Sequence, residues 1–335
     1  MIKIIKKILL FILIILVLSI FYLVRKPTGI VSNARDVQWG VAFSKIFSVQ
    51  LGLDWKENYL AILTDLKPAT IRLPIYWQDI EPEPGKYDFS DYDWMAQEAQ
   101  RQGVKLILVV GRKVPRWPEC HSPSWADKLS ENEKQEKIIE YISASVERYK
   151  NIDNLYLWQV DNEPFLPFGA CTKFDVNFLD REIATARNMD PSHKIMVTDS
   201  GELSTWVQAA KRADIFGTTM YRVIWKSPAG YFKYPLPPKF FWLKANIVHL
   251  LYPERPIVVS ELQAEPWGPK QIYDLPVDEQ MKSMDINQFH ANIEYAKRVG
   301  FPEDYLWGAE WWFWMKTKKN RPEFWEAAKE VMKSE

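Results

Sequence analysis

The chain has 335 residues, 43 Lys+Arg against 43 Asp+Glu, and is 47% hydrophobic and 14% aromatic. Zero net charge leaves no field to gather polyanions, which excludes a broad nucleic-acid surface, and the bulky apolar content excludes intrinsic disorder. Two Cys and four His rule out a disulfide scaffold and a Cys/His zinc site. The aromatic load is the anomaly. With 16 Trp, 15 Tyr and 17 Phe against 13 Gly, the rings must fill a large core or line an apolar-faced cleft.

Residues 8–24 form an apolar run broken only by Ser19 and Tyr22, with Lys3, Lys6 and Lys7 before it and Arg25 and Lys26 after it. At about 1.5 Å per residue, and with lysines that snorkel, such a run can span a hydrocarbon layer of roughly 30 Å. It predicts a single-pass transmembrane signal anchor that contacts the lipid bilayer, with 1–7 a short basic cytoplasmic tail and 25–36 a linker. The body, 37–335, would then lie on the extracytoplasmic side. A cleavable signal peptide, which would leave a secreted body, is the rival reading. No small-x-small site follows the run directly, since Ser32-Asn33-Ala34 lies beyond two positive charges.

From residue 37 the periodicity changes. A strand is predicted over 37–43 and a helix over 54–66, then a strand over 70–74 and a helix over 91–103. The segment 104–110 (VKLILVV) is apolar apart from Lys105, as in a strand covered on both faces. Helices follow over 130–150, 174–189, 202–213, 239–251, 284–299 and 321–333. Strands alternate with them over 155–160, 194–198, 215–220, 256–260 and 305–313. Eight strands alternating with eight helices predict an α/β fold, a closed parallel (β/α)8 TIM barrel, as one domain. In that architecture chemistry sits at the C-terminal ends of the strands.

Two carboxylates, Glu163 and Glu261, stand at the ends of the fourth and seventh strands. A pair about 5–5.5 Å apart hydrolyses glycosides with retention, one acid protonating the leaving oxygen and the other attacking the anomeric carbon. The two need unlike environments. Arg72, at the end of the second strand, would hold Glu261 ionised. Asn162 offers an amide to the sugar 2-hydroxyl, and Tyr221 a donor to Glu261. Flat Trp rings suit the apolar faces of sugars, and Trp77, Trp117, Trp225, Trp267, Trp311 and Trp312 all fall at or beyond predicted strand ends.

These residues resemble glycoside hydrolase clan A, the retaining (β/α)8 glycosidases such as the family 5 cellulases and mannanases. The likeness lies in Asn162-Glu163-Pro164, Ser260-Glu261, Ile71-Arg72-Leu73-Pro74, the Trp311-Trp312 pair and the loop from Trp77 to Phe89, which is similar to the clan's W-x-x-I-E-P-x-x-G-x-Y-D-F segment. It covers about residues 37–315. The resemblance implies Glu163 as acid/base, Glu261 as nucleophile, Asn162 as the 2-hydroxyl ligand, and Arg72 and Tyr221 as partners of Glu261. Strand alternation lets only one of Trp311 and Trp312 floor the site, and the likeness favours Trp312. Family 5 cellulases carry a His after strand 3 and near strand 6. Here Arg112-Lys113 and Arg222 stand instead, so Arg112 and Arg222 would meet an acidic sugar or pair with loop carboxylates.

Glu265 competes with Glu261 as nucleophile but should already lie in the loop, while Glu202 and Glu310 read as structural. The glutamates of the Glu81–Gly85 turn read as solvated. Cys120 and Cys171, in loops after neighbouring strands, form a candidate disulfide if the body is outside the cell. The expected activity is that of a membrane-anchored, monomeric retaining glycosidase acting on a carbohydrate, with no cofactor or metal and with Trp77, Trp267, Trp312 and Arg112 among its substrate contacts. The alternatives are a non-catalytic glycan-binding barrel and a cell-surface transglycosylase.

Overall fold

In a computed structural model of the chain, residues 2–27, 37–171 and 174–333 are described. Eight strands close a parallel barrel: β1 (Gln38–Ala42), β2 (Thr70–Pro74), β3 (Lys105–Val110), β4 (Leu155–Val160), β5 (Lys194–Asp199), β6 (Ile215–Met220), β9 (Ile257–Gln263) and β10 (Glu303–Trp307). A short antiparallel hairpin, β7 (Val223–Lys226) and β8 (Gly230–Lys233), is inserted after β6. The predicted (β/α)8 fold is therefore the observed one. No strand or helix was expected over 221–238, whose strands are only four residues each and too short to show an alternation.

The helices form where caps and apolar faces coincide. Asp54, Asp175 and Asp285 accept from the first-turn amides of helices Trp55–Ala61, Val176–Met189 and Ile286–Val299. Ser130 and Glu133 form a capping box on Glu131–Tyr149, satisfying amides that the helix leaves open. The helix predicted at 202–213 is shorter, running only over Val207–Arg212 after Trp206 at φ 69°.

Inside the barrel, Ile107, Leu157, Met196, Ile215, Val258 and Tyr305 pack together as an apolar plug. Gly40 makes room for it, because a Cβ there would lie 2.5 Å from the Tyr305 ring. Further along the same strands toward their C-terminal ends, the buried residues turn polar: Gln159, Thr198, Thr219 and Ser260. That polar layer supports the site.

The eighth strand departs from expectation. β10 ends at Trp307; Gly308 follows at φ 148°, and 309–318 form the helix Ala309–Lys318. A run of bulky apolar residues has no period that separates a buried strand from a buried helix, and every residue from Ala309 to Met315 is buried. Gly308 makes the break, since a Cβ there would meet the Ala264 carbonyl oxygen at 2.8 Å. Trp312 is thereby turned into the core, where its indole donates to the Ala264 carbonyl (2.7 Å). Trp311 donates to Gln280 Oε1 (2.7 Å) and packs on Phe324. Neither floors the site.

Asp304, on β10, is fully buried, and neither of its oxygens has a hydrogen-bond partner among the described residues. Burial first, then the charge of Glu303, push its carboxyl well above the usual range. The unfolded carboxyl ionises near pH ~4 while the folded one keeps its proton, so stability falls as pH rises across that window. Asp304→Val is expected to stabilise the protein by about 1–3 kcal/mol at neutral pH, with a gain that grows as pH rises. Chemical denaturation at two pH values measures it.

At the N-terminus, Ile2–Leu23 form one helix. Among the described residues no helix is long and apolar enough to cross a membrane, so the span expected at 8–24 is unsupported. Side chains in this helix are described only at 10–19 and 21–23, and those from Leu10 to Leu18 are exposed. Asn246 ties the helix end to the barrel through Nδ2, which donates to the Leu23 carbonyl (2.8 Å) and the Arg25 carbonyl (2.9 Å). Of the expected linker, 28–36 lie outside the described residues.

Candidate active site

Arg72 organises the polar layer. It is fully buried on β2, and its guanidinium reaches β4, the turn that follows it, and β9. Nε donates to Gln159 Oε1 (2.7 Å), Nη1 to Glu261 Oε1 (2.8 Å) and Nη2 to Asn162 Oδ1 (2.7 Å). A buried guanidinium is tolerated only when its rigid fork is satisfied this way. The second oxygen of Glu261 accepts from Tyr221 (2.9 Å). Both carboxylate oxygens are thus held by donors, and the group is fixed in orientation.

Glu163 lies in a different setting. The turn after β4 places Asp161 at φ 58° and Glu163 at φ 45°, left-handed conformations that cost free energy for residues bearing a Cβ. Bonds to neighbouring loops hold them. Lys113 N donates to Asp161 Oδ1 (2.9 Å), Lys113 Nζ to the Glu163 carbonyl (3.0 Å), and Glu163 N to Thr198 Oγ1 (2.9 Å). Thr219 donates to Glu163 Oε1 (3.0 Å). Burial first, and then the charge of Glu261, push the Glu163 carboxyl well above its usual range. One carboxyl is clamped by two donors and the other is pushed toward its protonated form, which is the asymmetry that acid/base work with a nucleophile requires.

Asn162 stands between them. Its Oδ1 also accepts from Thr198 (3.3 Å), and its Nδ2 donates to Glu119 Oε2 (3.2 Å), which leaves one amide hydrogen for a ligand. The structure thus brings together Arg72, Asn162, Glu163, Tyr221 and Glu261. Gln159, Thr198, Thr219, Lys113 and Glu119 join them without having been singled out. Thr198 and Thr219 sit at strand ends but are chemically unremarkable types, so only the register places them.

The other expected contacts divide. Trp267 packs edge-on against Tyr221 at 5.4 Å and beside Phe168 at 5.5 Å, and Phe168 meets Trp117 at 6.0 Å. These rings form an aromatic wall running outward from Glu261, with Trp117 48% exposed at its end. Trp77 is not part of it. It is buried against Trp125 and Tyr141, and its indole donates to Glu81 Oε2 (2.6 Å). Glu81 is itself buried and also accepts from Gly85 N (2.7 Å), so it ties the loop instead of being solvated.

Arg112 turns to the helix layer, pairing with Glu131 (2.5 Å) and lying over Phe178. Arg222 lies over Tyr295 and donates to the Tyr234 carbonyl (2.9 Å). Neither is a pocket cation. Glu265 is held by both Nη atoms of Arg116, which also bonds Glu310 (3.0 Å) and lies over Trp307 at 4.0 Å. Glu202 accepts from Tyr221 N (2.9 Å). All three glutamates are occupied as supports.

Cys120 and Cys171 are disulfide-bonded across a separation of 51 residues, tying the loop that carries Glu119 to the one that follows Glu163. Opening a closed loop of this size costs roughly 2–4 kcal/mol in the chain-entropy account. Cys171→Ser is expected to lower the unfolding midpoint accordingly, and thermal unfolding with and without reductant checks it, since reductant should shift only the parent protein.

Residues 57–219 match the glycosyl hydrolase family 10 model. The matched stretch carries Arg72, Asn162 and Glu163 and stops before Tyr221 and Glu261. The chain is 26% identical over 156 residues to Endo-1,4-beta-xylanase 3 of Hypocrea jecorina, which is 44% of this chain and 42% of that protein. It is 25% identical over 118 residues to Mannan endo-1,4-beta-mannosidase F of Aspergillus clavatus, 32% and 26% of the two. The chain thus spans less than half the length of these curated relatives. Among solved structures, xylanase 10B from Thermotoga maritima superposes with a TM-score of 0.57 at 13% identity, covering 90% of this chain and 96% of that one. A beta-glucosidase from Exiguobacterium marinum gives 0.52 at 14%, covering 83% and 89%. At such identities the superpositions show the TIM-barrel fold alone. Together the findings support a clan A glycoside hydrolase domain, of the kind that acts on O-glycosyl bonds. They point to family 10, which corrects the likeness to family 5.

Proposed function

We propose that the barrel is a retaining hydrolase of β-glycosides, with Glu163 as acid/base and Glu261 as nucleophile. The observation that carries this reading is the unlike setting of the two carboxyls: Glu261 bonded by Arg72 and Tyr221, Glu163 buried without a cationic partner among the described residues, with its carboxyl pushed up by burial and by the charge of Glu261. In the first step Glu163 protonates the leaving oxygen while Glu261 attacks the anomeric carbon, giving a glycosyl ester. Ester formation removes the charge of Glu261, one of the two largest causes that raise the Glu163 carboxyl. Glu163 is left ionised and more acidic, suited to draw a proton from the water that opens the ester. Asn162 would hold the 2-hydroxyl, where a hydrogen bond strengthens in the transition state.

The substrate class is a neutral β-linked oligo- or polysaccharide, lying along the wall of Trp267, Phe168 and Trp117. The relatives named for xylan and mannan favour that class. The test is the anomeric form of the first product, followed by proton NMR during hydrolysis of aryl β-glycosides. A β-anomer formed first is expected. An α-anomer formed first, or carbohydrate affinity without turnover across the panel, would overturn the reading.

The anchor belongs to the same proposal. Exposed apolar side chains from Leu10 to Leu18 and the basic residues on both flanks of 8–24 support a tether that holds the barrel at a bilayer, on the extracytoplasmic side. Removal of residues 1–26 should move the protein from the membrane to the supernatant fraction, and unchanged partition would contradict the tether.

A further inference from the structure

Glu119 is the one carboxyl of the inner cluster that the proposed chemistry does not use. It is more than nine-tenths buried in the loop after β3, and no cation lies within ion-pair distance of it among the described residues. Oε2 accepts from Asn162 Nδ2 (3.2 Å), while Oε1 has no hydrogen-bond partner among them. The neighbouring cations are engaged elsewhere. Arg72 serves Gln159, Asn162 and Glu261, Lys113 serves two backbone carbonyls, and Arg116 serves Glu265 and Glu310. Burial is the first cause that pushes the Glu119 carboxyl up, to about 8, and the charge of Glu261 adds to it.

Oε1 is not among the buried atoms that lack a partner, so it is open to the site and within reach of an entering hydroxyl. The Cys120–Cys171 bridge and the bond to Asn162 hold it beside the amide that would take the 2-hydroxyl. We infer that Glu119 is a specificity-determining residue of the glycone pocket, whose Oε1 bonds the sugar hydroxyl adjacent to the one held by Asn162. The inference rests on the hydrolase reading above and deepens it. A third carboxyl at this position suits a glycone with a free 3-hydroxyl.

The test pairs the aryl β-glycoside that the protein turns over fastest with its 3-deoxy analogue. The parent protein should lose roughly 10–100-fold in kcat/KM on removal of the hydroxyl, the range expected for a buried hydrogen bond. Glu119→Ala should lose a similar factor on the full sugar and almost nothing further on the 3-deoxy sugar, because two groups in contact couple. Glu119→Gln, which keeps the shape and the bond from Asn162, should fold like the parent and show a reduced penalty for the missing hydroxyl. If both variants keep the full parental penalty, Glu119 does not contact the sugar and the inference fails while the hydrolase reading stands. A parent protein that turns over no glycoside overturns both together.

Discussion

Glu261→Ala should reduce turnover on the order of 10⁴-fold or more, because the group that forms the covalent intermediate is lost and nothing replaces it. Arg72 and Tyr221 would remain, aimed at an empty space large enough for a small anion. Azide or formate should therefore restore part of the activity with activated aryl glycosides. The rescued product should carry the opposite anomeric configuration, since the anion attacks from the face that Glu261 vacates. Glu265, four residues on, gives no rescue of its own, because Arg116 holds both its oxygens. A Glu261→Ala protein with full activity would remove the nucleophile assignment.

Glu163→Ala should separate substrates by their leaving groups. Glycosides with poor leaving groups need the proton and should slow by about 10²–10⁴-fold. Those with dinitrophenyl groups need little help to depart, so their first step survives and the slow second step, without a base, should show a burst. The pH dependence carries a sign. Burial and the charge of Glu261 raise the Glu163 carboxyl, and the protonated form is the active one. Parental kcat/KM should therefore fall as pH rises through that raised value, and the variant should lack this alkaline limb. Stopped-flow bursts and pH profiles measure both effects.

Much of this site was legible in the residues because strand ends are legible. The alternation of short apolar runs with amphipathic segments placed Arg72, Glu163, Tyr221 and Glu261 at one end of the barrel, and the strands before the last end within a few residues of the expected positions. What failed did so where a local pattern has two solutions. The run after Gly308 is apolar on every side, so strand and helix look alike, and Trp312 went to the core with the helix. Trp77 and Arg112 sit beyond strand ends as expected, yet Glu81 and Glu131 draw them away from the mouth. Pairings of that kind are set by how the loop folds back on itself, which side-chain periodicity does not show. Glu119 was missed for the same reason: its meaning comes from contact with Asn162, 43 residues away.

The most direct test of the central claim is covalent trapping. The protein is incubated with a 2-deoxy-2-fluoro β-glycoside bearing an activated leaving group, digested, and sequenced by mass spectrometry. The expected result is one glycosyl adduct on the peptide carrying Glu261, absent from Glu261→Ala and slower to form in Glu163→Ala. An adduct on Glu265 or another carboxyl, or hydrolysis of β-glycosides with no adduct at all, would contradict the account.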